Sequence, residues 1–321
     1  MTSRGTEKMS QVTIGVDVSK DTLDAYRLSD GAKRRFGNDK AGHAAFVAWC
    51  GQDVARVVFE PTGPYHRAFE RALARAGLPA AKVNPRQARR FAEATGKLAK
   101  TDGLDAAMLA RMGAVLDIEA KPGNSDEIIE LKEMLVAREA LVKDRVAAKN
   151  REKNLTLPLL KRQNRYRLKQ IERHLDALDA NIKARIAASD AMASRCAILT
   201  SIPGIGFLTA FALLVEMPEL GTLEPGQAAS LAGLAPITRQ SGQWRGRSFI
   251  QAGRATVRTA LYMPALVAAR FNPDLSAKYT QLIAAGKPPK VAITAIMRKL
   301  VVLANALLKK GSHWQEKAAC T

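Results

Sequence analysis

Two short apolar runs, each ending in a carboxylate, constrain this chain most. One is Val12-Thr-Ile-Gly-Val-Asp17. The other is Val57-Val-Phe-Glu60, followed at once by Pro61-Thr-Gly63. Runs this short and rich in β-branched residues read as buried strands. Two more acids, in Lys100-Thr-Asp102-Gly-Leu-Asp105-Ala-Ala107, stand at the start of a helix. The four stand out because the chain carries 50 Lys and Arg against 30 Asp and Glu, a formal charge of +20. Such an excess makes nucleic acid the expected partner, because phosphate neutralisation releases counterions. A membrane surface is the competing partner, and no lipidation motif supports it. A knot of acids in a basic chain suggests a divalent metal held where a phosphate is cut.

The 321 residues allow two or three domains, and 47% hydrophobic content supports a real core. The N-terminus lacks the apolar segment of a secretory signal, and no uncharged run is long enough to span a bilayer. Cys50, Cys196 and Cys320 are odd in number and far apart. They read as reduced thiols of a cytoplasmic, nucleoid-associated protein rather than as disulfides or a zinc site.

Along the chain, 1–9 reads as a flexible tail. Strands are expected at 12–18, 22–28 and 34–37, a helix at 41–50, a strand at 55–60, a helix at 64–76 and a strand at 80–83. Helices at 86–94 and 102–116 close the region. Three strands, helix, strand, helix, strand, helices is an order that resembles a ribonuclease-H-like (RuvC-like) α/β domain over 10–121. In that topology Asp17, Glu60 and the Asp102/Asp105 pair meet at one end of the sheet, although fold analogy alone does not make a function.

Lys121-Pro-Gly-Asn-Ser125 reads as a linker. Residues 122–190 form a helical coiled-coil connector, with Ile128, Leu131, Leu135, Leu168, Ile171, Leu175, Leu178 and Ile182 at helical spacing and Pro158 dividing it. Between Lys143 and Arg173 there are eleven basic residues and three acidic ones. That stretch is either a solvated face or a phosphate-tracking one. Residues 191–321 read as a mainly helical C-terminal domain. Its Ile202-Pro-Gly-Ile-Gly206 resembles a helix-hairpin-helix turn, in which Gly204 and Gly206 would turn amides towards a phosphate. A plain capping turn explains the same residues.

The chemistry of the acids is that of hard cations. Mg2+ prefers carboxylate oxygens, and a pair of such ions can stabilise both the attacking and the leaving oxygen in phosphoryl transfer. Asp102 and Asp105, three apart, share a helix face; an N-terminal helix dipole would also favour them without metal. The loop Thr238-Arg-Gln-Ser241-Gly-Gln-Trp-Arg-Gly-Arg-Ser248 gathers Arg239, Arg245 and Arg247, with Arg254 and Arg258 following. Arginine forks match phosphate oxygens, and a serine among them could attack a phosphodiester. By composition alone Ser241 is a turn serine. Trp244 could stack on a base. Lys287 and Lys290, before an apolar helix containing Met297-Arg-Lys-Leu300, are further candidates for contact with nucleic acid.

Taken in order, Gly15-Val-Asp17-Val-Ser-Lys20, Glu60-Pro-Thr-Gly-Pro-Tyr65, Asn84-Pro85 with Arg89-Arg-Phe-Ala92, Lys100-Thr-Asp102-Gly-Leu-Asp105, Ser201-Ile-Pro-Gly-Ile-Gly206, Leu231-Ala-Gly-Leu-Ala-Pro236, Ser241-Gly242, Leu261-Tyr-Met-Pro264 and Met297-Arg-Lys-Leu300 resemble the DEDD transposases of the insertion-sequence-110 family, relatives of Piv-type DNA invertases. The resemblance spans nearly the whole chain. It implies a RuvC-like domain, a coiled-coil connector and a C-terminal transposase domain. It implies Mg2+ held by Asp17, Glu60, Asp102 and Asp105, and Ser241 as a nucleophile that links transiently to DNA. It further implies a structured noncoding guide RNA, the bridge RNA, and homodimers that pair into a tetramer. Pro61 and Pro64 depart from the family's usual residues; Glu60 is retained.

The expected activity is thus excision and insertion of an insertion sequence by a site-specific DNA recombinase. The rivals are a metal-dependent junction nuclease that cuts with water, and a non-catalytic nucleic-acid-binding protein.

Overall fold

The computed structural model describes residues 12–51, 53–96, 102–120, 125–246 and 248–316, with 102–104, 244 and 245 as backbone only. The expected tail at 1–9, Arg247, Cys320 and most of the linker after Ala120 lie outside the described residues. The chain forms two compact units, divided between Ile129 and Glu130.

The first unit runs β1 (Val12–Val18), β2 (Thr22–Arg27), β3 (Lys33–Gly37), α1 (Lys40–Cys50), β4 (Val54–Phe59), α2 (His66–Arg75), β5 (Ala80–Lys82), α3 (Pro85–Ala94) and α4 (Asp102–Val115). Its sheet has the order β3-β2-β1-β4-β5. β1, β2 and β3 are antiparallel neighbours, while β4 and β5 run parallel to β1. That is the ribonuclease-H-like arrangement expected from the sequence.

Both faces of the sheet are covered, which is why its central strands read as nearly continuous apolar runs. On one face Ile14, Val16, Val18, Val57 and Phe59 join Phe46 and Cys50 of α1 and Phe69 and Leu73 of α2. Phe46 and Phe69 meet edge to face, 5.0 Å between centroids, an arrangement that the ring quadrupoles favour. On the other face Val58 meets Met108, Leu109 and Met112 of α4 and Ala88 of α3. Here α4 lies on the strands almost without side chains between. A Cβ at Gly15 would stand 2.0 Å from the Ala106 carbonyl oxygen, and one at Gly113 would stand 2.5 Å from Val58. Only glycine permits so close an approach.

In the second unit α5 (Asp126–Glu152), which spans the division, pairs with α6 (Pro158–Ala187) as an antiparallel hairpin. Arg138 bonds Asp179 at 2.6 Å, Asn164 Nδ2 donates to the Ala148 carbonyl at 3.0 Å, and Arg185 pairs with Glu130. Leu131, Leu135, Leu168, Ile171, Leu175 and Ile182 form the buried seam. Pro158 opens α6 at its first turn, where a missing N–H costs nothing.

Then come α7 (Asp190–Thr200), α8 (Phe207–Glu216), α9 (Pro225–Leu231), β6 (Pro236–Ile237), β7 (Gln240–Ser241), β8 (Trp244–Arg245), β9 (Phe249–Ile250), α10 (Ala255–Phe271), α11 (Pro273–Ala284) and α12 (Pro289–Lys310). By length and composition α12 could cross a bilayer. It instead buries Ile293, Ile296, Met297, Leu300 and Val301, leaving Arg298 and Lys299 exposed, as a core helix does. The region is mainly helical, as expected, but the polar stretch read as a loop around Ser241 forms a β-hairpin, β6 pairing β9 and β7 pairing β8.

Candidate active site

The register of the first sheet puts two of the acids side by side. In the parallel ladder Gly15 pairs with Val58 and Val16 with Phe59. The next step along each strand brings Asp17 to Glu60. Side-chain alternation assigns both to the α4 face, since Thr13 and Gly15 face α4 and Val58 lies in its core. The two glycine contacts also orient α4. Gly113 rests near Thr13 and Val58, whereas Ala106 and Ala110 rest on Gly15. The helix therefore runs back along β1, and its start, carrying Asp105 and the backbone of Asp102, lies at the Asp17 end. Asp17, Glu60 and Asp105 are each half-buried and each engaged in an interaction.

Further residues, not singled out from the sequence, shape this edge. Asp24 pairs with Asp17 across the β1–β2 ladder, and Arg35, opposite Asp24 on β3, grips its carboxylate at 2.8 and 3.2 Å. The acid next to Asp17 is thus already neutralised. At the far end of α4, Arg56 of β4 donates to the carbonyls of Gly113 (3.0 Å) and Ile118 (2.8 Å) and to Asp117 (2.9 Å). A mostly buried guanidinium there complements the negative helix end and pins the helix to the sheet. An arginine inside a strand gives no sign of this in sequence, because its partners lie some sixty residues away.

An all-carboxylate donor set suits a hard divalent cation. Among the described residues no group of three or more His, Cys, Asp or Glu stands close enough to hold a metal, and the Asp102 side chain is outside them. The fit rests on donor chemistry and on the placement of three acid-bearing backbones at one sheet edge.

Ser241 sits elsewhere, beside the tip of the hairpin. It pairs with Trp244 across the two-residue turn Gly242-Gln243, and Gly242 has φ +56°. Ser241, Gly242 and Gln243 are exposed. The base of this hairpin is rigid. A Cβ at Gly253 would stand 2.2 Å from the Gly233 nitrogen, and Arg254 N–H donates to the Leu231 carbonyl at 2.8 Å.

The candidate nucleic-acid contacts divide. Arg254 is committed inward, to Glu219 and to the Glu216 carbonyl, and Arg258 bonds the Ala252 carbonyl. Both brace the hairpin. Arg239 is exposed, its guanidinium 5.0 Å from the Phe249 ring centroid. Arg245 is on β8, with its side chain outside the described residues. Lys287, between α11 and α12, and Lys290, in the first turn of α12, are exposed. Gly204, at φ +103°, lies against α10, where a Cβ would stand 2.7 Å from the Pro264 carbonyl oxygen. Close helix packing thus accounts for it without a phosphate. Gly206 caps α8 with open space about it. Cys50 is buried, and burial pushes its thiol up to about 12, so it is inert.

A ribonuclease-H-like unit with acids at one sheet edge, within a strongly basic chain, defines an enzyme that acts on nucleic-acid phosphodiesters. Residues 14–161 match a family model of DEDD transposases of the IS110 type, described as Transposase, and residues 196–280 match the one described as Transposase IS116/IS110/IS902 family. The chain is 27% identical over 320 residues to the pilin gene-inverting protein of Moraxella bovis, covering 96% of this chain and 99% of that one. The pilin gene-inverting protein of Moraxella lacunata matches to the same extent. An uncharacterized 43.6 kDa protein of insertion element IS110 from Streptomyces coelicolor is 31% identical over 144 residues, 44% of this chain and 34% of that one. The chain belongs to the DEDD transposase family of IS110-type insertion sequences and is a DNA transposase/recombinase.

Proposed function

We propose that this recombinase excises and inserts an insertion sequence at sites chosen by a noncoding bridge RNA. Asp17, Glu60, Asp105 and Asp102 hold Mg2+, which would supply charge neutralisation at the scissile phosphate. Ser241 is the nucleophile. The observation that carries this reading is the β1–β4 register, whose last pair Val16–Phe59 directly precedes Asp17 and Glu60, while α4 starts at the same edge.

On this reading Ser241 Oγ forms a bond to phosphorus as the bond to one strand end breaks, and the departing oxygen takes up a proton. The serine ester keeps the bond energy that hydrolysis would lose, so the hydroxyl of an incoming strand can reverse the step. Arg245 and Arg247, with Arg239, offset the charge that develops on the phosphate. Gly206, Lys287, Lys290 and the basic α5–α6 hairpin grip nucleic-acid backbones. Gly204 and Arg254 are left out of that surface because each has a role within the fold. The working assembly is a pair of homodimers in which acids of one copy serve the serine of another, and it acts at the bacterial nucleoid.

Incubation of the full chain with guide RNA, Mg2+ and nicked target DNA, resolved on a denaturing gel, tests this. A covalent protein–DNA adduct is expected, lost in Ser241→Ala and in Asp17→Asn. Cleavage without an adduct, unaffected by Ser241→Ala, would replace the recombinase with a nuclease that uses water.

A further inference from the structure

β3 runs parallel to β1 and β4, so its end reaches the same sheet edge as Asp17 and Glu60. The next residue, Asn38, spans that edge. Its Nδ2 donates to the Ser19 carbonyl at 2.8 Å, two residues beyond Asp17, and to the Tyr65 carbonyl at 3.1 Å, five beyond Glu60. Its backbone N–H donates to the Asp21 carbonyl at 2.9 Å. With Nδ2 facing carbonyls, Oδ1 must face the other way, and it lies 2.8 Å from His43 Nε2. An amide oxygen only accepts, so His43 donates through Nε2. His43 is itself 6% exposed and its ring lies tilted against Phe69, 5.8 Å between centroids, so it is held by the core.

We propose that Asn38, oriented by His43, is a positioning residue for the carboxylate site. One amide ties the loop leaving Asp17 to the loop leaving Glu60 and fixes the separation of the two carboxylates. This rests on the metal-site reading above. Partners that orient metal ligands typically contribute 10–100-fold to metal affinity.

The test titrates Mn2+ into the full chain, following free Mn2+ by its EPR signal, and measures the Mg2+ concentration giving half-maximal adduct. Asn38→Ala is expected to weaken Mn2+ binding and raise the Mg2+ midpoint by about 10–100-fold, with excess Mg2+ restoring the adduct. Asn38→Asp, which points an acceptor at two carbonyls, should do the same. His43→Phe should give a smaller shift in the same direction, and His43→Gln, which keeps a donor at similar reach, should recover affinity. A merely structural clamp would lower the melting temperature and the amplitude but leave the midpoint of the folded fraction in place. That outcome overturns the proposal, as does wild-type Mn2+ affinity in Asn38→Asp or His43→Phe should Asn38→Ala not fold. Mn2+ binding that Asp17→Asn leaves intact would remove the metal site itself, and the clamp with it. Loss in Asp17→Asn with no change in the Asn38 variants removes the clamp alone.

Discussion

The two candidate catalytic regions are built in opposite ways. Asp17, Glu60 and Asp105 stand at one edge of the sheet on the face that α4 covers, each half-buried, with α4 pressed onto β1 closely enough that glycine alone fits. Ser241 stands on an exposed hairpin of two-residue strands, rigid at its base and open at its tip. Placement that must hold several like charges together needs a stiff frame, whereas a nucleophile that has to find a strand of DNA can be carried on a projecting arm.

That contrast can be broken experimentally. The largest effect should fall on chemistry: Asp17→Asn, which removes a ligand itself, is expected to cut adduct formation by more than the roughly 10–100-fold that loss of a supporting partner of a metal ligand costs. Gel assays would show it, and an unimpaired variant would remove the acids from the reaction. Next comes Gly15→Ala. A Cβ 2.0 Å from a carbonyl oxygen must push α4 off the sheet, costing about 3 kcal/mol or preventing folding, as denaturant melts would report. Gly242→Ala, at the arm's tip, meets nothing within 4 Å, so only its left-handed backbone should cost, about 1–2 kcal/mol. If the two glycines cost alike, the two regions are not built differently. Ser241→Ala, at an exposed position, should leave the melting temperature unchanged while abolishing the adduct.

The smallest effect concerns acidity. Burial holds His66 below the usual histidine range, and nearby Glu70 opposes the shift. Burial also lowers His43, with Asp39 opposing. A histidine depressed in the folded state binds fewer protons than in the unfolded chain. Stability is therefore full above the unfolded value near 6.5 and falls as pH drops below it. Melting temperatures between pH 8 and pH 5 should decline, and less steeply in His66→Gln. The tip of the hairpin holds no histidine, so adduct formation at Ser241 should not follow that decline while the protein stays folded.

Much of the first unit was legible in the sequence. Strand and helix bounds agree to within a residue or two, and Asp17 and Glu60 were expected at strand ends. Runs of five or more residues with two-sided burial carry that signal. The hairpin was not legible: two-residue strands have no period, and Ser241-Gly-Gln-Trp244 reads as a polar loop. The inward pairing of Arg254 was not legible either, because its partner Glu219 lies 35 residues away, with nothing local to join them. Gly204 resembled an amide nest, yet what it accommodates is Pro264 on another helix. Asn38, beside the capping Asp39, carries no signal in sequence, because its two loop partners come together only in the folded sheet.

The seat of α4 on Gly15 has a consequence for how this chain can evolve. At Gly15 main-chain atoms of Ala106 and Ala110, not side chains, set the height at which the helix rides above the strand. Neighbouring core residues are free to change size without altering that height, so drift in the surrounding interior should leave the gap between helix and strands nearly constant. The exceptions are Gly15 and Gly113, where the addition of a single methyl group would lift the helix and carry Asp105 out of line.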